Sequence, residues 1–300
     1  MWRRYMVIGK VGLAPMAGIS NWSFRTLCFK FGAEFAYTEM ISAESIVRNL
    51  KINEKYFPKD IEKKRVAVQI FGSEPYIMSQ AASMVDGKGA WIDINAGCPV
   101  KKVIKKGAGS ALLKDLKKLK KIIEGVKNNV KSKVSVKVRL GFDEDNFERI
   151  YDAAVEAGAD MIAVHGRTAK QMYSGRAKWQ IKNKGYIPLY INGDIYNSDN
   201  IKIAMELSGA DGVLIARGAI GNPWIFSNIT PSIFERKNVV LQHIDLLYLE
   251  VGDIREFRKF VAGYTKGLPG ARQFRAKVMK IEEIDELKMA FEEYFLSISN

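Results

Sequence analysis

The feature that most constrains the fold is a unit repeated along the chain: an apolar, β-branched run followed by a segment with helical periodicity. Eight such runs cover residues 11–16, 35–40, 66–72, 91–95, 134–140, 161–166, 188–193 and 212–218. Strands that alternate with helices indicate a parallel sheet. Eight units within about 225 residues favour a (β/α)8 TIM barrel over an open, doubly wound sheet.

The pattern changes after Trp224. The remaining residues contain no strand-like run, and their helical periodicity is interrupted near Gly252 and at residues 267–270. We therefore predict two domains, a (β/α)8 barrel over residues 1–232 and a small C-terminal all-helical domain over residues 233–300.

The predicted strands end in unusually polar residues. In a barrel the carboxyl ends of the strands meet on the face that carries the active site. A structural hydrogen bond would explain any one of these residues, Glu39 included, but their convergence favours an active site. They are Met16, Glu39, Gln69, Asn95, Lys137, Arg139, His165, Asn192, Asp194 and Arg217.

Cys98 lies on a loop directly beyond the strand that ends near Asn95, between Gly97 and Pro99. Pro99 has a fixed φ and no N–H, so the strand cannot continue through it. Cys98 could be a nucleophile, a general acid or a small core residue, although packing alone explains little on a loop. Cys28 lies among the apolar residues of a predicted helix, and we expect it to be structural.

The chain has two cysteines and two histidines, all scattered, and no CxxC pair. This usage predicts no disulfide framework, no metal site and a reducing, cytoplasmic location. His243 lies among apolar residues, which favours a packing or surface role. No window reaches the roughly 18 uncharged apolar residues of a membrane helix. Arg3 and Arg4 precede an apolar segment, but Lys10 interrupts it, so we expect no export signal.

The net charge of +14 favours a polyanionic partner, although it could serve solubility alone. Residues 101–133 hold twelve lysines against two acidic residues. Residues 116–126 have an apolar helical face, so the lysines from residue 117 onward lie on its opposite face, as a solvated surface or a binding surface. Lys101 and Lys102 lie in the loop after Cys98, where binding is favoured.

The last two strand ends contain Gly193, Gly218, Gly221 and Arg217. In barrels the loops after strands seven and eight commonly bind a phosphate through backbone amides. These loops predict a phosphorylated ligand at the mouth of the barrel.

Gln69, Lys137 and His165 around such a ligand suit flavin mononucleotide (FMN). Gln69 can bond to a pyrimidine edge, and Lys137 can stabilise negative charge on the reduced ring. Lys137 could instead be a Schiff-base lysine, as in barrel aldolases, and the neighbouring Arg139 makes that alternative physically reasonable.

Taken together, the motifs resemble those of the tRNA-dihydrouridine synthases, FMN-dependent enzymes that reduce the C5=C6 bond of uridines in tRNA. The resemblance extends over nearly the whole chain. It rests on LAPMAG (13–18), TEM (38–40), QIFG (69–72), INAGCPVKKVIKKGAGSALL (94–113), VKVRLG (136–141), VHGRTAKQMYSGRAKW (164–179), INGDI (191–195), GNPWIF (221–226) and GLPGAR (267–272). Asn21 departs from an Asp that is common in the family, but both residues cap helices.

The resemblance implies a role for each site residue. Cys98 would deliver a proton to C5 of the uracil while reduced FMN gives a hydride to C6, and NADPH would reduce the flavin again. Asn95 would orient the uracil. Lys101, Lys102, Arg139 and Arg167 would bind the tRNA substrate. Tyr173 and Trp179 could stack on a base or simply pack. The flavin would be held by Pro15, Met16, Ala17, Gln69, Lys137, His165, Asn192, Gly193, Asp194, Ala216, Arg217 and Gly218.

Two other functions stay open from the sequence. The chain could be a barrel oxidoreductase that acts on a free pyrimidine or a small enone. It could also be an RNA-binding or chaperone-like protein without catalysis, although the presence of Cys98, Lys137 and His165 argues against this. Neither metal, membrane nor obligatory protein partner is expected.

Overall fold

Eight parallel strands close into a barrel in the computed structural model, which describes residues 8–299. Arg3 and Arg4 lie outside the described residues. Each strand pairs with the next around the ring, and β2 pairs with β4 to close it, while the short β3 adds to β4. The strands are β1 (Val11–Leu13), β2 (Phe35–Tyr37), β3 (Ile41–Ser42), β4 (Val66–Phe71), β5 (Trp91–Ala96), β6 (Val134–Arg139), β7 (Met161–His165), β8 (Leu189–Asn192) and β9 (Gly212–Ile215). The predicted TIM barrel is confirmed.

Helices surround the barrel and continue after it. They are α1 (Trp22–Lys30), α2 (Ala43–Arg48), α3 (Pro75–Val85), α4 (Lys101–Ile104), α5 (Leu116–Asn128), α6 (Phe147–Glu156), α7 (Ser198–Ser208), α8 (Ile233–Val251), α9 (Arg258–Tyr264), α10 (Ala271–Val278) and α11 (Ile284–Ser297). Asn21 is the N-cap of α1 and accepts a hydrogen bond from the amide of Phe24 at 3.1 Å, as its sequence position predicts.

One expected helix is missing from the described residues. The connection between β7 and β8 has no α-helix and runs as an irregular loop, residues 166–188. Backbone hydrogen bonds, such as those from Ala169 to Gly141 and from Lys178 to Gly166, hold this loop together with side-chain bonds. The guanidinium of Arg167 donates to the carbonyl oxygens of Ser174 and Gly175, and the indole of Trp179 donates to that of Gly193.

The amino-terminal half of the barrel interior is closed by aromatic rings. Phe35, Tyr37, Trp91 and Tyr190 are buried there, with neighbouring ring centroids 5.3–6.2 Å apart. Large rings leave little room for a ligand at this end. The open end of the barrel is therefore the carboxyl end.

The helical region after β9 packs against the barrel through α8, which contacts α1. The Glu250 carboxylate accepts hydrogen bonds from the amides of Trp22 and Ser23, at 2.9 and 2.8 Å, and so satisfies free donors at the start of α1. His243 is fully buried among the rings of Phe24, Phe260 and others, which gives it the packing role that the sequence favours.

Candidate active site

A cavity of about 400 Å³ opens at the carboxyl ends of the strands. Every residue predicted to hold the cofactor lines it, and so do Cys98, Asn95 and Arg139. Lys101, Lys102 and Arg167 are not part of its wall. Side chains that are far apart in the sequence thus meet in one concave space, as the barrel topology dictates.

The loop that carries Cys98 is held by defined hydrogen bonds. The side-chain oxygen of Asn95 accepts from the amides of Gly97 and Cys98, at 3.1 and 2.9 Å. The carbonyl oxygen of Cys98 accepts from the amide of Ser110 at 3.0 Å. Gly109 has a positive φ of 60°, and a Cβ there would lie only 2.8 Å from that carbonyl oxygen. A larger residue at position 109 would therefore displace Cys98.

The thiol of Cys98 is partly buried in the cavity wall. Burial raises its pKa above the ordinary value, and it outweighs the amide of Val100 and the charges of Arg139 and Lys137, which lower it. Cys98 is therefore protonated at neutral pH, a state that suits a proton donor better than a nucleophile.

Lys137 is partly buried near the end of β6, and its amine donates to the side-chain oxygen of Asn192 at 3.2 Å. Burial and the charge of Arg139 lower the pKa of Lys137 to about 8, although Asp93 and Cys98 oppose that shift. The amide nitrogen of Asn192 donates to the carbonyl oxygen of Leu214 at 2.6 Å, which fixes its orientation.

His165 at the end of β7 is buried and uncharged. Burial first, and then the positive charges of Lys137, Arg139 and two further arginines, lower the pKa of His165 to about 2. Its Nδ1 is buried and has no hydrogen-bond partner among residues 8–299. A buried polar atom left in this state next to a cavity indicates a place for a ligand atom.

Arg139 joins two loops at the cavity. Its Nε donates to the carbonyl oxygen of Gly97 at 2.9 Å, and its Nη1 donates to those of Thr168 and Met172, each at 2.9 Å. Burial lowers the pKa of Arg139 to about 10, so it stays charged at neutral pH. Arg139 therefore ties the Cys98 loop to the loop after β7 while it lines the cavity.

The carboxylate of Asp194, on the loop after β8, pairs with two arginines. Arg167 forms a two-pronged pair with it, at 3.0 and 2.6 Å, and Arg217 donates to it at 3.2 Å. The amide of Ala177 donates to it at 2.8 Å. Partial burial raises the pKa of Asp194, but these bonds, led by that from Arg167, outweigh it and lower the pKa. The side chain of Arg167 is 2% exposed and faces Asp194. The contact between Arg167 and the substrate stays a prediction.

The lysines separate into two groups. In the helix α5 and near its end several are already paired: Lys118 with Glu74 at 3.0 Å, Lys120 with Glu156 at 2.6 Å, and Lys127 with Asp160. For these three lysines the pairs favour a solvated surface, one of the two alternatives that the sequence leaves open. Lys101 and Lys102 are exposed at the start of α4, outside the cavity wall.

Comparison with known proteins identifies the family. A sequence model of the family Dihydrouridine synthase (Dus) matches residues 12–299. The chain belongs to the dihydrouridine synthase family. It is 36% identical to a probable tRNA-dihydrouridine synthase of Rickettsia conorii, over 95% of this chain and 93% of that protein. It is 35% identical to tRNA-dihydrouridine synthase B of Pseudomonas aeruginosa, over 99% of this chain and 96% of that protein.

Asp93 is a buried polar residue of this family member that the sequence analysis missed. It lies on β5 between Trp91 and Asn95, and its carboxylate is fully buried. Burial raises the pKa of Asp93 to about 6, against hydrogen bonds from Ser135 and Gln69 that lower it. The signal was present in the sequence, since alternate residues of a strand point to one face and Asp93 shares its face with Asn95.

None of the helices between residues 8 and 299 combines the length and the apolar character that crossing a bilayer requires. In the same part of the chain, no three His, Cys, Asp or Glu side chains are grouped so that they could hold a metal ion.

Proposed function

We propose that this dihydrouridine synthase family member reduces the C5=C6 bond of uridines in tRNA at the mouth of its barrel, with FMN as its bound cofactor and NADPH as the reductant. Family membership and the relatives named as tRNA-dihydrouridine synthases support the reaction. The single observation that carries the residue assignments is one cavity wall that contains Cys98 together with the residues predicted to hold a flavin.

The cavity suits a flavin in size and in chemistry. Its volume of about 400 Å³ lies within the range of cofactor sites. The unpartnered Nδ1 of His165 offers a hydrogen bond to a ligand atom. Lys137 and Arg217 supply positive charge for the ring and the phosphate. FMN, when bound, supplies the hydride for C6 of the uracil.

In our proposal the residues of the chain bind the cofactor, orient the uracil and protonate its C5. Cys98 holds the proton that goes to C5, and its raised pKa keeps that proton on the sulfur until it is transferred. The backbone amides around Gly193, Asp194 and Gly218 hold the phosphate, because backbone N–H groups donate to phosphate oxygens. The carboxylate of Asp194 cannot donate, and it instead pairs with Arg167 and Arg217.

The hydrogen bonds of Asn95 bear on its predicted role, which is to orient the uracil. Its side-chain oxygen is used by the amides of Gly97 and Cys98, and its nitrogen donates to Gln69 at 2.9 Å. The polar atoms of Asn95 thus already have protein partners. We propose that Asn95 contributes to the uracil site mainly by placing Cys98. Any direct hydrogen bond from Asn95 to the base would use the hydrogen-bonding capacity that its amide group still has.

A uridine inside folded tRNA is stacked, so it must leave the stack to reach the cavity. Tyr173 is 57% exposed at the cavity, and the guanidinium of Arg217 lies 4.7 Å from its ring centre. This pair offers a flat surface to a base.

We propose that Lys101, Lys102 and the helical region over residues 233–300 contact the tRNA backbone. The domain boundary at residue 232, a cytoplasmic location and independence from a protein partner stay predictions.

The test begins with the purified protein and its two cysteines. We expect a yellow protein with a flavin absorption band at about 450 nm. Cys98→Ala should bind flavin and tRNA but lose at least about 100-fold in turnover, since general acid catalysis contributes about 10²–10⁴-fold. Cys28→Ala is the matched control. Its thiol is buried in the core, so only stability should change.

Each alternative has its own result. Dihydrouridine restored in tRNA when the gene is returned to cells that lack it supports the proposal. Reduction of free pyrimidines with no change in tRNA would favour the small-molecule oxidoreductase. A colourless protein that forms a Schiff base at Lys137 would favour an aldolase. Full activity in Cys98→Ala would remove the assignment of the proton donor.

A further inference from the structure

Two chains of hydrogen bonds end on the carboxylate of Asp93, in the barrel interior below the cavity. Its Oδ2 accepts from the side-chain nitrogen of Gln69 at 2.7 Å, and its Oδ1 accepts from the hydroxyl of Ser135. Gln69 lies on β4 and Ser135 on β6, so Asp93 receives a donor from each neighbouring strand. Asp93 itself is not among the residues that line the cavity.

The first chain leads from Asp93 to the loop of Cys98. The side-chain oxygen of Gln69 accepts from the side-chain nitrogen of Asn95 at 2.9 Å. The side-chain oxygen of Asn95 then accepts from the backbone amides of Gly97 and Cys98. The buried carboxylate is thereby linked to the backbone of Cys98 through two side-chain amides.

The donor-to-acceptor direction of this chain of hydrogen bonds is fixed at both of its ends. A backbone N–H can only donate, and a carboxylate can only accept. Each amide between them therefore has one orientation that satisfies all the bonds. A rotation of Gln69 by 180° would set its oxygen against the carboxylate of Asp93 and its nitrogen against that of Asn95.

The second chain fixes Asp93 from the other side. The indole nitrogen of Trp91 donates to the hydroxyl oxygen of Ser135 at 3.0 Å. Because an indole N–H only donates, the proton of that hydroxyl is free to point to Asp93. The carboxylate is thus the acceptor at the end of both chains, and it stays ionised at neutral pH even though burial raises its pKa to about 6.

We propose that Asp93 is a positioning residue, which orients the amide of Gln69, through it the amide of Asn95, and so holds the Cys98 backbone at the cavity wall. The effect on turnover rests on the proposed function. The effect on the loop does not, because it follows from the hydrogen bonds alone.

The alkylation of Cys98 by iodoacetamide tests the loop directly. Cys28 is 0% exposed, so the reaction reports on Cys98 in the flavin-loaded protein. Asp93→Ala removes the acceptor and should speed alkylation about threefold to tenfold, the effect of losing about one hydrogen bond. Asp93→Asn keeps an acceptor oxygen for Gln69 and should restore most of the wild-type rate.

Ser135→Ala is the matched control. It removes a buried hydrogen bond from the same carboxylate but leaves the bond between Gln69 and Asp93, so the alkylation rate should stay within about twofold of wild type. In tRNA reduction, Asp93→Ala should lower kcat per bound flavin about tenfold, with an unchanged KM for tRNA.

The outcomes separate the two hypotheses. An unchanged alkylation rate in Asp93→Ala, or an equal increase in Ser135→Ala, would overturn the role of Asp93. If Asp93→Ala does not fold, Gln69→Met interrupts the same chain one residue nearer to Cys98 and must give the faster alkylation. A wild-type protein that makes no dihydrouridine but shows the expected alkylation pattern would refute the proposed function alone.

Discussion

The substitution Asp194→Asn removes the charge that holds two arginines beside the cavity. Asn has nearly the same shape and tolerates the left-handed backbone at this position, where φ is 55°. The change therefore isolates the electrostatic contribution. It converts the two-pronged pair with Arg167 into a single hydrogen bond and weakens the bond from Arg217.

The free energy of unfolding that Asp194→Asn should lose follows from the burial of the ion pair between Arg167 and Asp194. The side chain of Arg167 is 2% exposed and that of Asp194 is 21% exposed. Removing one partner of a buried ion pair costs about 3–5 kcal/mol. Arg167 keeps the carbonyl oxygens of Ser174 and Gly175, and the new amide keeps one acceptor, so we expect about 2 kcal/mol. For a chain of 300 residues this lowers Tm by about 3 °C.

The pH dependence gives a second check on Asp194→Asn. The folded pKa of Asp194 is lowered, so its stabilising effect is complete above the unfolded value of about 3.9 and is lost as the pH falls through the folded value. The difference in Tm between wild type and variant should stay constant from about pH 5 to 8 and shrink below about pH 4.

Asp145→Asn serves as the control for this experiment. Asp145 pairs with Lys178 at 2.7 Å, but the two side chains are 39% and 51% exposed, so the loss should stay below about 0.5 kcal/mol. Equal losses of Tm in the two variants, measured by thermal unfolding at pH 7, would refute the reasoning from burial.

Two further predictions concern pH and salt. Burial lowers the pKa of His243 to about 3, so this residue binds a proton only in the unfolded chain below about pH 6.5 and should lower stability there by up to about 1.4 kcal/mol per pH unit. His165, whose pKa is lowered to about 2, should contribute as much. His243→Phe should therefore remove about half of the slope in unfolding curves from pH 5 to 7, and an unaltered slope would contradict this reasoning. Lys101→Ala and Lys102→Ala should each reduce the slope of log affinity for tRNA against log salt by about 0.7–0.9. Lys118→Ala, already paired with Glu74, should leave it unchanged, and three equal slopes would argue against a phosphate contact at the Cys98 loop.

The barrel could be predicted because each strand carries its own local signal. Buried parallel strands are apolar along their length, and the helices between them have a period of 3.6 residues. The loop over residues 166–188 could not be predicted in this way. It is held by hydrogen bonds from the side chains of Arg167, Arg139 and Trp179 to carbonyl oxygens 8, 29 and 14 residues away, and such spacings leave no periodic pattern.

The convergence of strand-end side chains on one cavity could be predicted, but their hydrogen bonds could not. Strand ends in a barrel converge whatever their side chains do, so Gln69, Lys137 and His165 had to meet. Sequence does not say which polar atoms are already satisfied. Arg167 reads as a substrate-binding cation, yet in the folded chain its guanidinium faces Asp194 and two carbonyl oxygens.

The nearby cations act with opposite sign on the protonation of two ionisable groups of the cavity, His165 and Cys98. For His165, burial and the nearby cations both disfavour the charged imidazolium, so the two effects add and the ring is neutral. For Cys98, the cations favour the charged thiolate but burial disfavours it, and burial prevails. At neutral pH the thiol therefore carries a proton that it can give, whereas the neutral imidazole keeps only an N–H that is a very weak acid. This contrast supports the role of proton donor that the family resemblance implies for Cys98.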